Sequence, residues 1–100
     1  MNKIFSTTAW KEYIYWQSED KKILKKINEL IRDIELNGNT GVGKPEALKH
    51  ELSGFWSRRI TEEHRLIYSL DEKNVYIVSC RGHYQISSVL NKSWEINLID

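Results

Sequence analysis

Cysteine, proline and methionine occur once each in these 100 residues, glycine occurs five times, and the formal charges nearly cancel at +1. Each shortage excludes something. A lone thiol, Cys80, allows no internal disulfide, and its place at the end of the apolar run Val75-Tyr76-Ile77-Val78-Ser79-Cys80 reads as a buried, inert side chain. No stretch approaches the roughly 18 apolar residues of a membrane span, and the first residues lack a charged segment followed by a long apolar run, so a cytoplasmic protein without membrane contact is expected. Fifteen Lys and Arg against fourteen Asp and Glu do not advertise nucleic-acid binding by overall charge. RNA affinity must then come from local clustering or from a partner that delivers the RNA. His50, His64 and His83 show no metal-ligand spacing with a cysteine pair, so neither metal nor cofactor is expected. There is no internal repeat and no low-complexity segment.

Aromatic residues, by contrast, are plentiful. Four Trp and five Tyr supply bulky core material, and the length suits one small folded domain with one modest core. Lys3-Ile4-Phe5 reads as a short strand, and Ser6, Thr7 and Thr8 as N-caps for a helix containing Trp10, Tyr13 and Ile14. Ser18 reads as the cap of a second helix, in which Ile23, Ile27, Leu30, Ile31 and Ile34 recur at helical spacing and Gly38 is the stop. Residues 37–44 carry three glycines but lack the preceding strand and the following helical Lys-Ser/Thr of a phosphate-binding loop, so they form an ordinary loop. Phe55 to Ile60, His64 to Leu70 and Val75 to Arg81 read as three strands of an antiparallel meander that turns at Asp71-Glu72-Lys73-Asn74. Gln85 to Asp100 fits either one helical stripe or a strand in which Trp94, Ile96 and Leu98 alternate. The expected architecture is α+β, two N-terminal helices packed on one face of a mainly antiparallel sheet.

The chemistry-bearing residues gather in two short stretches, Lys44-Pro45-Glu46 running into Leu48-Lys49-His50, and Arg81-Gly82-His83-Tyr84. Between them, Ser53 to Tyr68 is loaded with cations where a small domain should bury apolar side chains, and it reads as a site rather than a core. If Thr61-Glu62-Glu63 is a three-residue hairpin loop, Arg59 lies directly opposite Arg65. Two like charges so opposed are unfavourable unless an anion sits between them; Glu63 would serve in part, and a phosphate matches the guanidinium forks better. The same arginines also fit a solvated sheet face braced by Glu62 and Glu63. Metal-free RNA cleavage needs a base for the 2′-hydroxyl, an acid for the departing 5′-oxygen and cations for the charge that develops on phosphorus. Taken singly, Glu46 also fits an ordinary surface carboxylate and His83 an exposed strand-end histidine; together Glu46, His83 and Arg65 suit those three tasks.

The chain resembles the YoeB family of the RelE/ParE toxin superfamily from about Lys3 through Tyr84. The likeness rests on Trp10, Tyr13, Tyr15-Trp16-Gln17, Asp20-Lys21, the run Lys25 to Ile31, Gly43-Lys44-Pro45-Glu46 and the run Leu52 to Leu66. It implies a toxin of a type II toxin–antitoxin system: an endoribonuclease that depends on the ribosome, cuts mRNA in the A site beside 16S rRNA, and is held inactive by a YefM-type antitoxin. It implies Glu46 as general base, His83 as general acid, Arg65 as transition-state stabiliser and Tyr84 as a residue that positions or stacks on substrate. Lys49, His50, Arg59 and Glu63 match substrate-binding positions around them, and a homodimer is a further expected state. Residues 1–84 would be the toxin domain and 85–100 a C-terminal extension. The family's His-Tyr pair normally ends the chain, whereas sixteen residues follow Tyr84 here. The extension reads as an appendage, an added strand or a dimer contact. A superfamily member that poisons another target such as DNA gyrase, or a plain RNA-binding module, would keep the fold without needing the acid–base pair.

Overall fold

Ser6 ends a strand and starts a helix in one step. Its Oγ accepts the Ala9 N–H at 3.0 Å as an N-cap and donates to the Val78 carbonyl at 2.7 Å, which ties the helix start to the sheet. A computed structural model describes residues 1–83 and, as backbone, 94–96. Its elements are β1 (Asn2–Ser6), α1 (Thr7–Glu19), α2 (Lys21–Asn37), β2 (Glu46–Ala47), a single 3₁₀ turn (His50–Leu52), β3 (Trp56–Arg59), β4 (Arg65–Leu70), β5 (Asn74–Ser79) and β6 (Trp94–Ile96). Asp20 serves both helices: its N–H bonds the Trp16 carbonyl at the end of α1, and its carboxylate accepts the Lys22 and Ile23 N–H groups at the start of α2. The expectation of Ser18 as the second cap is therefore corrected, since Ser18 lies inside α1 and donates to the Tyr15 carbonyl at 3.2 Å. Gly38 stops α2 as expected, with its N–H on the Ile34 carbonyl.

The sheet order is β2-β3-β4-β5-β1-β6. β3, β4 and β5 form the expected meander, while β1 lies parallel to β5 because α1 and α2 carry the chain back across the sheet. Both helices cover one face, so the α+β reading with a mainly antiparallel sheet holds. Their apolar stripe, including Tyr13, Trp16, Ile27, Leu30, Ile31 and Ile34, packs on Phe5, Leu66, Tyr68, Val75 and Ile77. Each such fully buried side chain contributes about 1.5–3 kcal/mol. Alternation along β4 sends Ile67 to the opposite face, where Leu48, Leu52 and Val78 join it in a smaller cluster. Cys80 is buried as expected, and burial pushes its thiol well above the usual range. β6 pairs antiparallel with β1, Ser6 opposite Trp94 and Ile4 opposite Ile96, so the strand reading of that part of the extension is the one realised.

One cation of the run between Ser53 and Tyr68 belongs to the core. Arg58 has no solvent exposure, alternates with Trp56 and Ile60 toward the helices, and pairs with Asp33 of α2. Its guanidinium also donates to the carbonyls of Gly38, Thr40 and Val42 at 2.7–3.0 Å and to the Tyr68 hydroxyl at 3.2 Å. Those bonds fold the glycine loop down onto the sheet. Gly43 comes so close that an added Cβ would lie 2.7 Å from Leu30 Cδ2, and its carbonyl accepts the Arg59 N–H at 2.7 Å. The loop thereby delivers Pro45 and Glu46 to the edge of β3. Among the described residues no helix is long and apolar enough to cross a membrane.

Candidate active site

Paired residues in a sheet share a face, so the register alone locates the candidate groups. Glu46 pairs with Ser57 and Ser57 with Ile67, placing all three on the face away from the helices. Arg59 pairs with Arg65 two residues further along the same face, as the three-residue loop required. Strand spacing of about 4.8 Å and a rise of about 3.4 Å per residue put the Glu46 backbone roughly 10 Å across and 7 Å along the sheet from that of Arg65. Arg59 is exposed, and among the described residues neither Glu62 nor Glu63 forms an ion pair with Arg59 or Arg65. Arg65 is half-buried, and its Nη1 donates to the carbonyls of Thr61, Glu62 and His64 at 2.6–3.2 Å. The hairpin loop thus fixes the guanidinium by one nitrogen, and among the described residues nothing occupies its Nε and Nη2. Glu63 is exposed at the hairpin tip, its N–H on Thr61 Oγ1, away from Glu46.

Glu46, Lys49 and His50 line one open pocket of about 580 Å³, so three of the expected residues meet there with both signs of charge. The backbone around them is unusual. Lys44 and His50 have φ of +52° and +57°, which costs a side-chain-bearing residue on the order of 1–3 kcal/mol. Such conformations persist where the surroundings hold them; Arg58 and its loop hold the approach to Glu46.

His83 is exposed, one residue beyond a tightly held segment. Cys80 gives its N–H to Glu12 Oε1 at 2.8 Å and receives Trp16 Nε1–H on its carbonyl at 3.0 Å. The Arg81 guanidinium stacks 3.8 Å over the Tyr15 ring. The Gly82 carbonyl accepts the Arg65 N–H at 3.0 Å, and the Gly82 N–H donates to His64 Nδ1 at 2.8 Å. Burial raises the Glu12 carboxyl above its ordinary value, against the lowering influence of the Cys80 N–H and the nearby Arg81. Tyr84 lies outside the described residues. Glu46, Arg59 and Arg65 therefore share a face, Lys49 and His50 share a pocket with Glu46, and His83 is tied through Gly82 to Arg65. Sequence reasoning missed Glu12, Trp16 and His64 as supports; for His64 the signal within reach was its place opposite Arg81-Gly82 in strands already assigned, whereas Glu12 and Trp16 reach Cys80 from α1 and gave none.

Two helices on one face of a mixed sheet, with a carboxylate and guanidiniums on the other, define a small α+β toxin of the YoeB/ParE type. Residues 5–84 match the family model described as YoeB-like toxin of bacterial type II toxin–antitoxin systems, and the chain belongs to that family. It is 57% identical over 84 residues to toxin YoeB of Escherichia coli K12, a match covering 84% of this chain and all of the relative, and 49% identical over 85 residues to toxin YoeB of Synechocystis, covering 85% and 99%. The solved YoeB dimer of Staphylococcus aureus superposes with a TM-score of 0.80 at 50% identity, covering 84% of this chain and 98% of that one. The S. aureus YoeB–YefM complex gives 0.79 at 49% identity, with the same coverage. YafQ of E. coli, at 19% identity and a TM-score of 0.66, shares the fold.

Proposed function

We propose that this toxin is a ribosome-dependent endoribonuclease that cuts mRNA in the ribosomal A site beside 16S rRNA, inhibiting translation in the cytoplasm until a YefM-type antitoxin covers it. The observation that supports the reading is the placement of Glu46, Arg59 and Arg65 on the sheet face opposite α1 and α2, with His83 linked to Arg65 through Gly82. In this mechanism Glu46 takes the proton of the 2′-hydroxyl as O2′ attacks phosphorus. The bond from phosphorus to O5′ breaks, and His83 gives O5′ its proton. Arg65 stabilises the charge on the non-bridging oxygens with a planar fork, and Tyr84 positions or stacks on the substrate. The products are a 5′-hydroxyl and a 2′,3′-cyclic phosphate. Lys49, His50, Arg59 and Glu63 contact the flanking RNA.

An overall charge of +1 fits a nuclease whose substrate is presented by the ribosome rather than captured from solution. The S. aureus relative is seen both as a dimer and bound to YefM, so both partners are proposed for this chain. Mapping mRNA ends after brief expression, with and without translation, tests the reading. Breaks at a fixed frame position inside open reading frames, absent when translation is blocked, are expected. Breaks indifferent to translation, or none at all while growth stops, would overturn it.

A further inference from the structure

We infer that His64 is a positioning residue that fixes His83 relative to Arg65 by holding the peptide of Gly82, an inference that rests on the reading of His83 as the general acid. Three observations meet on one residue. Gly82, at φ +71°, is gripped at both its backbone groups by consecutive residues: His64 Nδ1 takes its N–H at 2.8 Å, and the Arg65 N–H takes its carbonyl at 3.0 Å. The His64 ring is itself set edge-on against Trp16, with centroids 4.8 Å apart. Its carbonyl receives the Ile60 and Thr61 N–H groups and a bond from Arg65 Nη1, so the ring stands on the hairpin that also anchors the candidate stabilising guanidinium. Nδ1 accepts, so it carries no proton, and the ring's own hydrogen resides on Nε2. Trp16 and Glu12 fix both backbone groups of Cys80 in the same way, so the chain is held at alternate residues up to the one before His83. His64 lies beneath the site and contributes an acceptor to the scaffold; the reacting groups belong to its neighbours.

The test uses the full chain on programmed ribosomes in single turnover. His64→Ala should slow cleavage on the order of 10- to 100-fold, the cost of a small misplacement of a catalytic group, with the half-saturating toxin concentration changed less than about twofold. His64→Asn, whose Oδ1 can take the place of Nδ1, should recover most of the rate. In a His83→Ala background, His64→Ala should add nothing, because the residue it aims is gone. A His64→Ala rate equal to wild type, no recovery with Asn, or a full additional loss in the His83→Ala background would overturn the inference. A nitrogen–nitrogen coupling across the hydrogen bond between Gly82 and His64 Nδ1, read by NMR on the wild type, is expected whatever the activity, and its absence would overturn the clamp independently. A wild type that binds programmed ribosomes without cutting mRNA would instead sink the nuclease reading.

Discussion

Arg58 and Asp33 illustrate how a single charge pair sets the approach to the site. Three of the five donor contacts of one guanidinium go to the Gly38, Thr40 and Val42 carbonyls and close a loop that would otherwise leave them unpaired against the sheet, and Pro45 and Glu46 follow that loop. Removing Arg58 leaves the Gly38, Thr40 and Val42 carbonyls and the half-buried Asp33 without their donor, so Arg58→Ala should cost about 3 kcal/mol or more and lower Tm on the order of 10–20 °C. Arg58→Lys should not rescue, since a point charge cannot serve acceptors spread over that fork. Thermal unfolding checks both, and a Lys variant as stable as wild type would contradict the account. Asp33 is held below its ordinary 3.8, chiefly by the Arg58 hydrogen bond. A depressed folded value means the contribution is complete above about pH 4 and lost as pH falls through the lower folded value. The Asp33→Asn variant should therefore be less stable at neutral pH and show a shallower acid limb; an acid limb as steep as wild type would argue against it. Sequence placed Arg58 in the right strand but among the candidate cations of a site. Its alternation with Trp56 and Ile60 pointed inward, yet its anion lies 25 residues away, and one chain read in isolation does not show that pairing.

At the level of elements, local pattern decides most of what is found. Helical spacing in α2, the cap at Ser6, the three-strand meander and the register that opposes Arg59 to Arg65 were all legible, because each depends on neighbours in sequence. The parallel pairing of β1 with β5 and the two-residue β2 were not, because they depend on a crossover and on a loop that the buried arginine closes. The extension is a case of its own. β6 pairs with β1 in the position that would otherwise be the sheet's open edge, and an unpaired edge invites association with another chain. Truncation after Tyr84 should then lower Tm or promote self-association, measured by thermal unfolding and sedimentation together. Fast amide exchange at residues 94–96 with neither property changed would contradict this.

For the whole molecule, the near balance of charge conceals a local grouping, with Lys49 and His50 sharing a pocket with Glu46 and with Arg59 and Arg65 further along the same sheet face. A small acidic antitoxin that folds as it docks could cover such a patch. Expression without it should arrest bacterial growth and co-expression should restore it; normal growth with abundant soluble protein would count against the toxin acting through this site. The nuclease chemistry itself is tested most directly by single-turnover cleavage on programmed ribosomes, comparing wild type with Glu46→Ala, His83→Ala and Arg65→Lys and identifying the new ends. Loss of the base or the acid should slow the chemical step by about 10²- to 10⁴-fold, Arg65→Lys should fall short of wild type, and the products should carry a 5′-hydroxyl and a 2′,3′-cyclic phosphate. Undiminished rates in both Glu46→Ala and His83→Ala, or ends bearing a 5′-phosphate, would contradict it.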